Sequence, residues 1–177
     1  MKKVAPQTPQ KYHPALVALH WAIALLIFAN VVLGGASEDG GTGPGGIPII
    51  NFHMSLGITI LVLMFARLVV RLKTKHPSWA DTGNAFLNKI GELTHWALYI
   101  LAIGMPLTGI LLARDNDELR LLFGSAAGLV PSIGLGRIHG LIWALLLLLI
   151  LLHFGAAMFH QFFIKDNLLK RMTFGKK

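Results

Sequence analysis

Residues 138–164 are IHGLIWALLLLLILLHFGAAMFHQFFI, an apolar run that contains three histidines and no Asp, Glu, Lys or Arg. An α-helix rises 1.5 Å per residue, so about 20 residues cross the roughly 30 Å of hydrocarbon in a bilayer. The run is long enough to span a membrane, and it lacks the period-two alternation of a barrel strand. It therefore predicts a transmembrane helix.

Three further apolar runs of similar length lie at residues 15–34, 48–72 and 90–113. Of the 177 residues, 54% are hydrophobic and only 14% are charged. This composition excludes a disordered chain and a charged solution domain, since a water-soluble fold would be left with a largely apolar exterior. The sequence predicts an all-α integral membrane four-helix bundle that forms a single domain over residues 1–177.

Lys and Arg residues are unevenly distributed between the two ends of the predicted bundle. Thirteen lie before the first span, around the second loop or after the fourth span, and only Arg114, Arg120 and Arg137 lie on the other side. Cytoplasmic loops of membrane proteins are enriched in Lys and Arg, so both termini are predicted to be cytoplasmic, as in a multi-pass protein of the bacterial inner membrane. The basic residues that give the net charge of +8 lie between apolar runs rather than on a solvated face. The expected partner is therefore membrane lipid rather than nucleic acid.

The chain contains no cysteine, which excludes disulfides, thiolate zinc sites and iron–sulfur clusters. Any metal chemistry must therefore use the eight histidines. Ionisable side chains inside a membrane span are costly and usually have a partner. Six of the histidines fall within the spans or at their ends, and these are His20, His53, His95, His139, His153 and His160.

The histidines of the fourth span recur along one face of the helix. His139, His153 and His160 are spaced by 14 and 7 residues, which returns each side chain to nearly the same direction. The first two are separated along the axis by about 21 Å, so His139 is expected near the outer surface and His153 in the inner half. By depth, His53 pairs with His139, and His20 pairs with either His153 or His160. The pattern predicts two sites stacked across the bilayer.

Haem suits two facing histidines better than a bare metal ion does. A zinc site normally completes a tetrahedral shell, and Glu92 at the edge of the third span is the only acidic candidate. Haem needs only two axial ligands, and its apolar rim suits a bundle interior. Without a Cys-x-x-Cys-His motif the attachment is non-covalent, so two haems of b type are predicted. Gly57 and Gly155 offer room nearby, although ordinary close helix packing explains them equally well.

A longer series of motifs resembles those of the bacterial four-helix cytochrome b561 proteins, from about His20 to Met172. The resemblance rests on the following residues: His20-Trp21; His53-Met54-Ser55-Leu56-Gly57-Ile58; Leu61-Val62-Leu63-Met64 with Arg67 and Arg71-Leu72-Lys73; His95, Tyr99, Pro106 and Gly109; His139; and His153, Ala156-Ala157, His160, Lys165-Asp166-Asn167, Leu169 and Arg171-Met172. Gln161 departs from relatives that carry a second histidine at that position. Because of this departure, adjacent histidines are not expected to relay protons here.

The resemblance implies an inner-membrane cytochrome with two b haems and quinone-linked electron transfer. Some members are similar to superoxide oxidases, which take an electron from superoxide at the outer face and pass it to ubiquinone. Carried over by position, His53 and His139 would ligate the outer haem iron, and His20 and His153 the inner one. On depth alone His160 could replace His153.

Several other side chains are candidates for the periphery of these sites. His95 and His160 would touch quinone or a haem edge, and Arg67 and Arg71, four residues apart, would pair with haem propionates or reach lipid phosphate. At the outer surface, Arg137 and Arg114 would attract superoxide. The competing explanation for these outer arginines is neutralisation of nearby acidic residues, which are Asp115, Asp117 and Glu118.

Three functions are consistent with the sequence. The first is an oxidoreductase of the superoxide:ubiquinone type, in which a periplasmic donor passes electrons through two haems to quinone. The second is a haem-containing electron-transfer subunit that serves a separate dehydrogenase or periplasmic cytochrome. The third is a haem-free transporter, which predicts a colourless protein.

Overall fold

The four predicted helices are present. In the computed structural model, residues 11–38, 40–44, 48–115 and 134–175 are described. The helices are α1 (Pro14–Glu38), α2 (Ile49–Lys73), α3 (Ala85–Asp115) and α4 (Leu135–Phe159). Each is long and apolar enough to cross a membrane. Successive helices pack against each other, α1 on α2, α2 on α3 and α3 on α4, as expected for a bundle with short connections.

The helix ends differ from the predicted spans by one to five residues, as at the end of α1 and the start of α3. Helix α1 continues to Glu38, four residues past its predicted end, so that Gly34 and Gly35 are helical. Helix α3 begins at Ala85 rather than at residue 90, because Asn84 caps it. The Asn84 side-chain oxygen accepts hydrogen bonds from the backbone N–H groups of Phe86 at 2.9 Å and Leu87 at 3.3 Å. Such a cap satisfies donors that a helix start otherwise leaves free.

The exterior of the bundle is apolar. Leu25, Phe28, Leu148 and Leu151 are all more than half exposed, and Val17 is the only fully buried large side chain in the described part of the chain. In water such a surface would drive association. In lipid it is the expected exterior, because acyl chains are as apolar as leucine.

A layer of packed side chains fills the middle of the bundle. Every helix contributes to it, and its buried members are Ile23, Ile60, Met64, Tyr99, Ala102 and Leu146. Ile60 lies seven residues after His53, and Leu146 lies midway between His139 and His153. The layer therefore separates the two histidine levels.

The two ends of the chain meet at one end of the bundle. Helix α4 continues into a π-helical turn, His160–Ile164, which is followed by a 3₁₀ helix, Leu168–Met172. The Trp21 indole N–H donates to the Met172 carbonyl at 2.9 Å, and the Tyr12 N–H donates to the Arg171 carbonyl at 3.1 Å. Both described ends of the chain thus lie on the same side. That this side faces the cytoplasm remains a prediction from the charge distribution.

Candidate haem sites

A cavity of about 510 Å³ opens between the helices near the end of α1 and the start of α4. This volume is in the usual range for small-molecule and cofactor sites. His53 and His139, the predicted outer ligands, both line it, and no Lys, Arg, Asp or Glu from the described part of the chain does so. The structure therefore brings this predicted pair together around one uncharged space.

His53 is held by the backbone of α1. Its Nδ1 lies 3.1 Å from the Asn30 carbonyl oxygen. A carbonyl can only accept, so Nδ1 carries the proton and Nε2 is left with a free lone pair. A Cβ atom placed on Gly34 would lie only 3.0 Å from Cε1 of this ring. Glycine at residue 34 therefore makes room for the imidazole.

His139 is held in the same way by α3. Its Nδ1 lies 2.9 Å from the Thr108 hydroxyl oxygen, and that hydroxyl donates to the Met105 carbonyl at 2.8 Å. The single hydroxyl proton is thereby used, so Thr108 accepts from Nδ1–H and His139 Nε2 is free. A Cβ atom on Gly109 would lie 3.1 Å from His139 Cε1. Both outer histidines thus have the tautomer that metal-ligating imidazoles adopt.

Three histidines meet at the inner level. The ring centroids of His20 and His153 are 6.3 Å apart with their planes at 73°, and those of His95 and His153 are 5.1 Å apart. A metal bound by two imidazole nitrogens at about 2 Å each holds the ring centroids roughly 6 Å apart. The spacing of His20 and His153 matches that requirement.

His160 and His95 each have other partners. His160 is buried, and its Nδ1 lies 2.6 Å from Asp166 Oδ2. Lys165 and Asn167, on either side of that aspartate, both have left-handed backbone conformations, with φ of 60° and 58°. His95 Nδ1 donates to the Gly91 carbonyl at 2.7 Å. The structure thus places His153, rather than His160, beside His20.

Arg67 and Arg71 lie next to this inner cluster among aromatic rings. The Arg71 side chain is buried, and its guanidinium carbon lies 5.2 to 5.6 Å from the ring centroids of Trp79, Trp96 and Tyr99. Arg67 lies over the same Tyr99 ring at 5.1 Å. Arg67 Nε and the Tyr99 hydroxyl are buried without a hydrogen-bond partner in the described structure.

Neither arginine is paired with a carboxylate within the described segments, where the ion pairs are Lys89–Glu92 and His160–Asp166. Buried cations normally require an anionic or hydrogen-bonding partner. Together with the unpartnered Arg67 Nε, the two arginines fit an acidic group brought by a ligand, such as a haem propionate.

The structure gives less information on the two predicted outer arginines than on Arg67 and Arg71. Arg137 is exposed and lies two residues before His139 at the start of α4. Arg114 is the penultimate residue of α3, and its side chain lies outside the described part of the chain, as do Asp117, Glu118 and Arg120. A role in attracting superoxide therefore remains a prediction for both.

The sequence interpretation missed four contributors to the outer site. Asn30 supplies the carbonyl that orients His53, Thr108 orients His139, and Gly34 and Gly109 make room for the two rings. Thr108 could have been suspected, because a polar side chain in a span usually has a partner. The Asn30 contact is made by the backbone, so its side-chain type carries no such signal.

Four membrane helices with histidines that face one another at two levels, and with uncharged space between them, define a class: the transmembrane bundles that hold haem between helices. The sequence profile of the prokaryotic cytochrome b561 family matches residues 11–175. The chain belongs to this family. It is a haem-binding electron-transfer cytochrome that spans the bacterial inner membrane several times.

Curated relatives agree with this assignment over nearly their full length. The chain is 33% identical to "Cytochrome b561 homolog 1" of Escherichia coli K12 over 92% of this chain and 96% of the relative. It is 28% identical to "Probable superoxide oxidase CybB" of Yersinia pestis, over the same shares of the two chains. It is 29% identical to "Cytochrome b562" of Cereibacter sphaeroides over 88% of this chain and 90% of that protein.

Proposed function

We propose that this cytochrome holds two b haems and transfers electrons from superoxide at the periplasmic face to ubiquinone. The observation that carries the proposal is the presence of histidine pairs at two levels, separated by a packed apolar layer. The name of the Yersinia pestis relative supports the choice of superoxide as donor.

His53 and His139 are the proposed axial ligands of the outer haem. Each donates through Nδ1 to a protein oxygen and has Nε2 free, which fixes the ring and makes it a better ligand. The uncharged lining suits the apolar face of a porphyrin. Gly34 and Gly109 keep the space beside the two rings open.

His20 and His153 are the proposed ligands of the inner haem. Their centroid spacing of 6.3 Å matches two imidazoles on one iron. Arg67 and Arg71 would pair with the propionates, and Trp79, Trp96 and Tyr99 hold Arg71 in position for that contact. His95, in contact with His153, would border the haem edge or the quinone.

Bound haem would supply a one-electron carrier at each level. With two histidines as the proposed iron ligands at each level, the iron would have no open site for oxygen, and outer-sphere transfer would be the expected chemistry. In the overall reaction two superoxide anions each lose one electron and leave as dioxygen. One ubiquinone gains those two electrons and two protons and leaves as ubiquinol.

Two groups of side chains would handle the charged reactants. Arg137 and Arg114 would raise the local concentration of the superoxide anion at the outer face. The buried His160–Asp166 pair lies at the end where the cytoplasm is predicted, and it would donate a proton to the quinone.

A stopped-flow assay in detergent or liposomes tests this function. Superoxide is mixed with the purified holoprotein and a soluble ubiquinone analogue, and haem reduction and quinol formation are followed. The proposal predicts that superoxide reduces the haems and that quinol forms at half the rate of superoxide consumption. Haem that is stable but not reduced by superoxide would contradict it, and would favour the electron-transfer subunit instead.

A further inference from the structure

Charge is distributed unequally between the two proposed haem sites. Residues from all four helices line the outer cavity, and among the described residues of that lining none is Lys, Arg, Asp or Glu. The inner cluster has two arginines beside it. Arg71 lies over the Trp79 ring, and the centroid of that ring is 5.1 Å from that of His95. Arg67 and Arg71 both lie over the Tyr99 ring.

The two arginines pack against aromatic rings. Arg71 is only 7% exposed. It is surrounded by one ring from the α2–α3 loop and two from α3, those of Trp79, Trp96 and Tyr99. Arg67 shares the Tyr99 ring and has a buried, unpartnered Nε. Their positive charges therefore persist next to the inner site instead of being screened by solvent.

A fixed cation near a haem favours its reduced state. Reduction lowers the charge of the iron by one, so a nearby positive charge destabilises the oxidised form more than the reduced form. The interaction is strongest where the dielectric constant is low, as between membrane helices. If the propionates of the inner haem pair with these arginines, the same direction follows, because the pairing neutralises carboxylates that would stabilise oxidised iron.

We propose that Arg67 and Arg71 hold the reduction potential of the inner haem above that of the outer haem, so that electron transfer toward the cytoplasmic side is downhill. The proposal rests on the proposed function, since it requires a haem at each level. Arg67 and Arg71 would then set the relative reduction potentials of the two haems, in addition to pairing with propionates.

Redox titration of the holoprotein, followed by the reduced absorption bands, tests this proposal. Wild-type protein should titrate in two steps. Arg67→Gln should lower the midpoint of the higher step and leave the lower step unchanged, and Arg67→Lys should restore most of the loss. The matched control is Lys73→Gln, which removes the same charge from an exposed residue at the same end of α2 and should shift neither step.

A second variant assigns the two redox steps to the two haems and leaves both arginines in place. It therefore tests the proposal even if Arg67→Gln loses its inner haem. His53→Ala should retain one haem, and the midpoint of that haem should match the higher wild-type step. A match to the lower step, or a single shared midpoint in wild-type protein, would overturn the proposal. Haem content is measured on the same samples, so a failure to bind two haems is recognised separately as a failure of the proposed function.

Discussion

The contact between Gly34 and His53 provides a sensitive test of the outer site. Gly34→Ala adds a Cβ atom that would lie 3.0 Å from His53 Cε1 and 3.2 Å from Nδ1. The ring must move by a few tenths of an ångström, and its 3.1 Å bond to the Asn30 carbonyl lengthens or breaks. Gly104, in α3 and outside the cavity lining, has nothing within 4 Å of the same added atom, so Gly104→Ala is a matched control.

The expected size of the effect follows from this geometry. Overpacking a well-filled site costs about 1–3 kcal/mol, which corresponds to a loss of roughly 5- to 150-fold in affinity for the outer haem. Both variants gain the same helix propensity, about 1 kcal/mol when alanine replaces glycine. The difference between them therefore isolates the contact with His53.

Pyridine-haemochrome quantitation during stepwise haem removal measures that difference. Gly34→Ala should lose one haem at a lower competitor concentration than wild-type protein, while the second haem is retained as in wild-type protein and Gly104→Ala behaves as wild-type protein does. If the two alanine variants release haem identically, the contact between Gly34 and His53 does not position an iron ligand of the outer haem.

Three further perturbations examine the remaining parts of the account. Thr108→Val removes the oxygen that accepts a hydrogen bond from His139. Because an unsatisfied buried group costs about 1–3 kcal/mol, this variant should retain less outer haem, whereas Thr108→Ser should retain as much as wild-type protein. Equal retention in the two variants would argue against the contact. Arg137→Glu should slow the reduction of the haems by superoxide at low ionic strength and have little effect at high salt. An unchanged rate at low salt would show that Arg137 does not attract superoxide. Asp166→Asn replaces the carboxylate that pairs with His160 at 2.6 Å. Quinol formation should slow while haem content stays constant, because the proposed proton donor to the quinone is altered. A rate of quinol formation equal to that of wild-type protein would assign the pair a purely structural role.

The helices themselves could be predicted because each apolar run is long enough to cross the bilayer. Their ends could not be placed so well. The start of α3 depends on the Asn84 cap, which the hydropathy pattern does not reveal. Helix α1 continues to Glu38, four residues beyond its apolar run. Such local signals shift helix boundaries by a few residues without changing the number of spans.

The candidate site was predictable only where periodicity carries the information. The 14-residue interval between His139 and His153 places both rings on one face of α4, and this alone indicates two levels. The environment of Arg71 could not be inferred in this way. Trp79 lies outside the apolar runs, and only the folded loop brings it against Arg71 and His95.

Haem stoichiometry in histidine variants is the most direct measurement of the central claim. Wild-type protein should contain two b haems per chain, and His139→Ala and His20→Ala should each contain one, with different absorption bands remaining. The double variant should contain none, and replacement of the exposed His76 by alanine should leave both in place. Equal pigment in the wild type, the two single variants and the double variant would contradict the account.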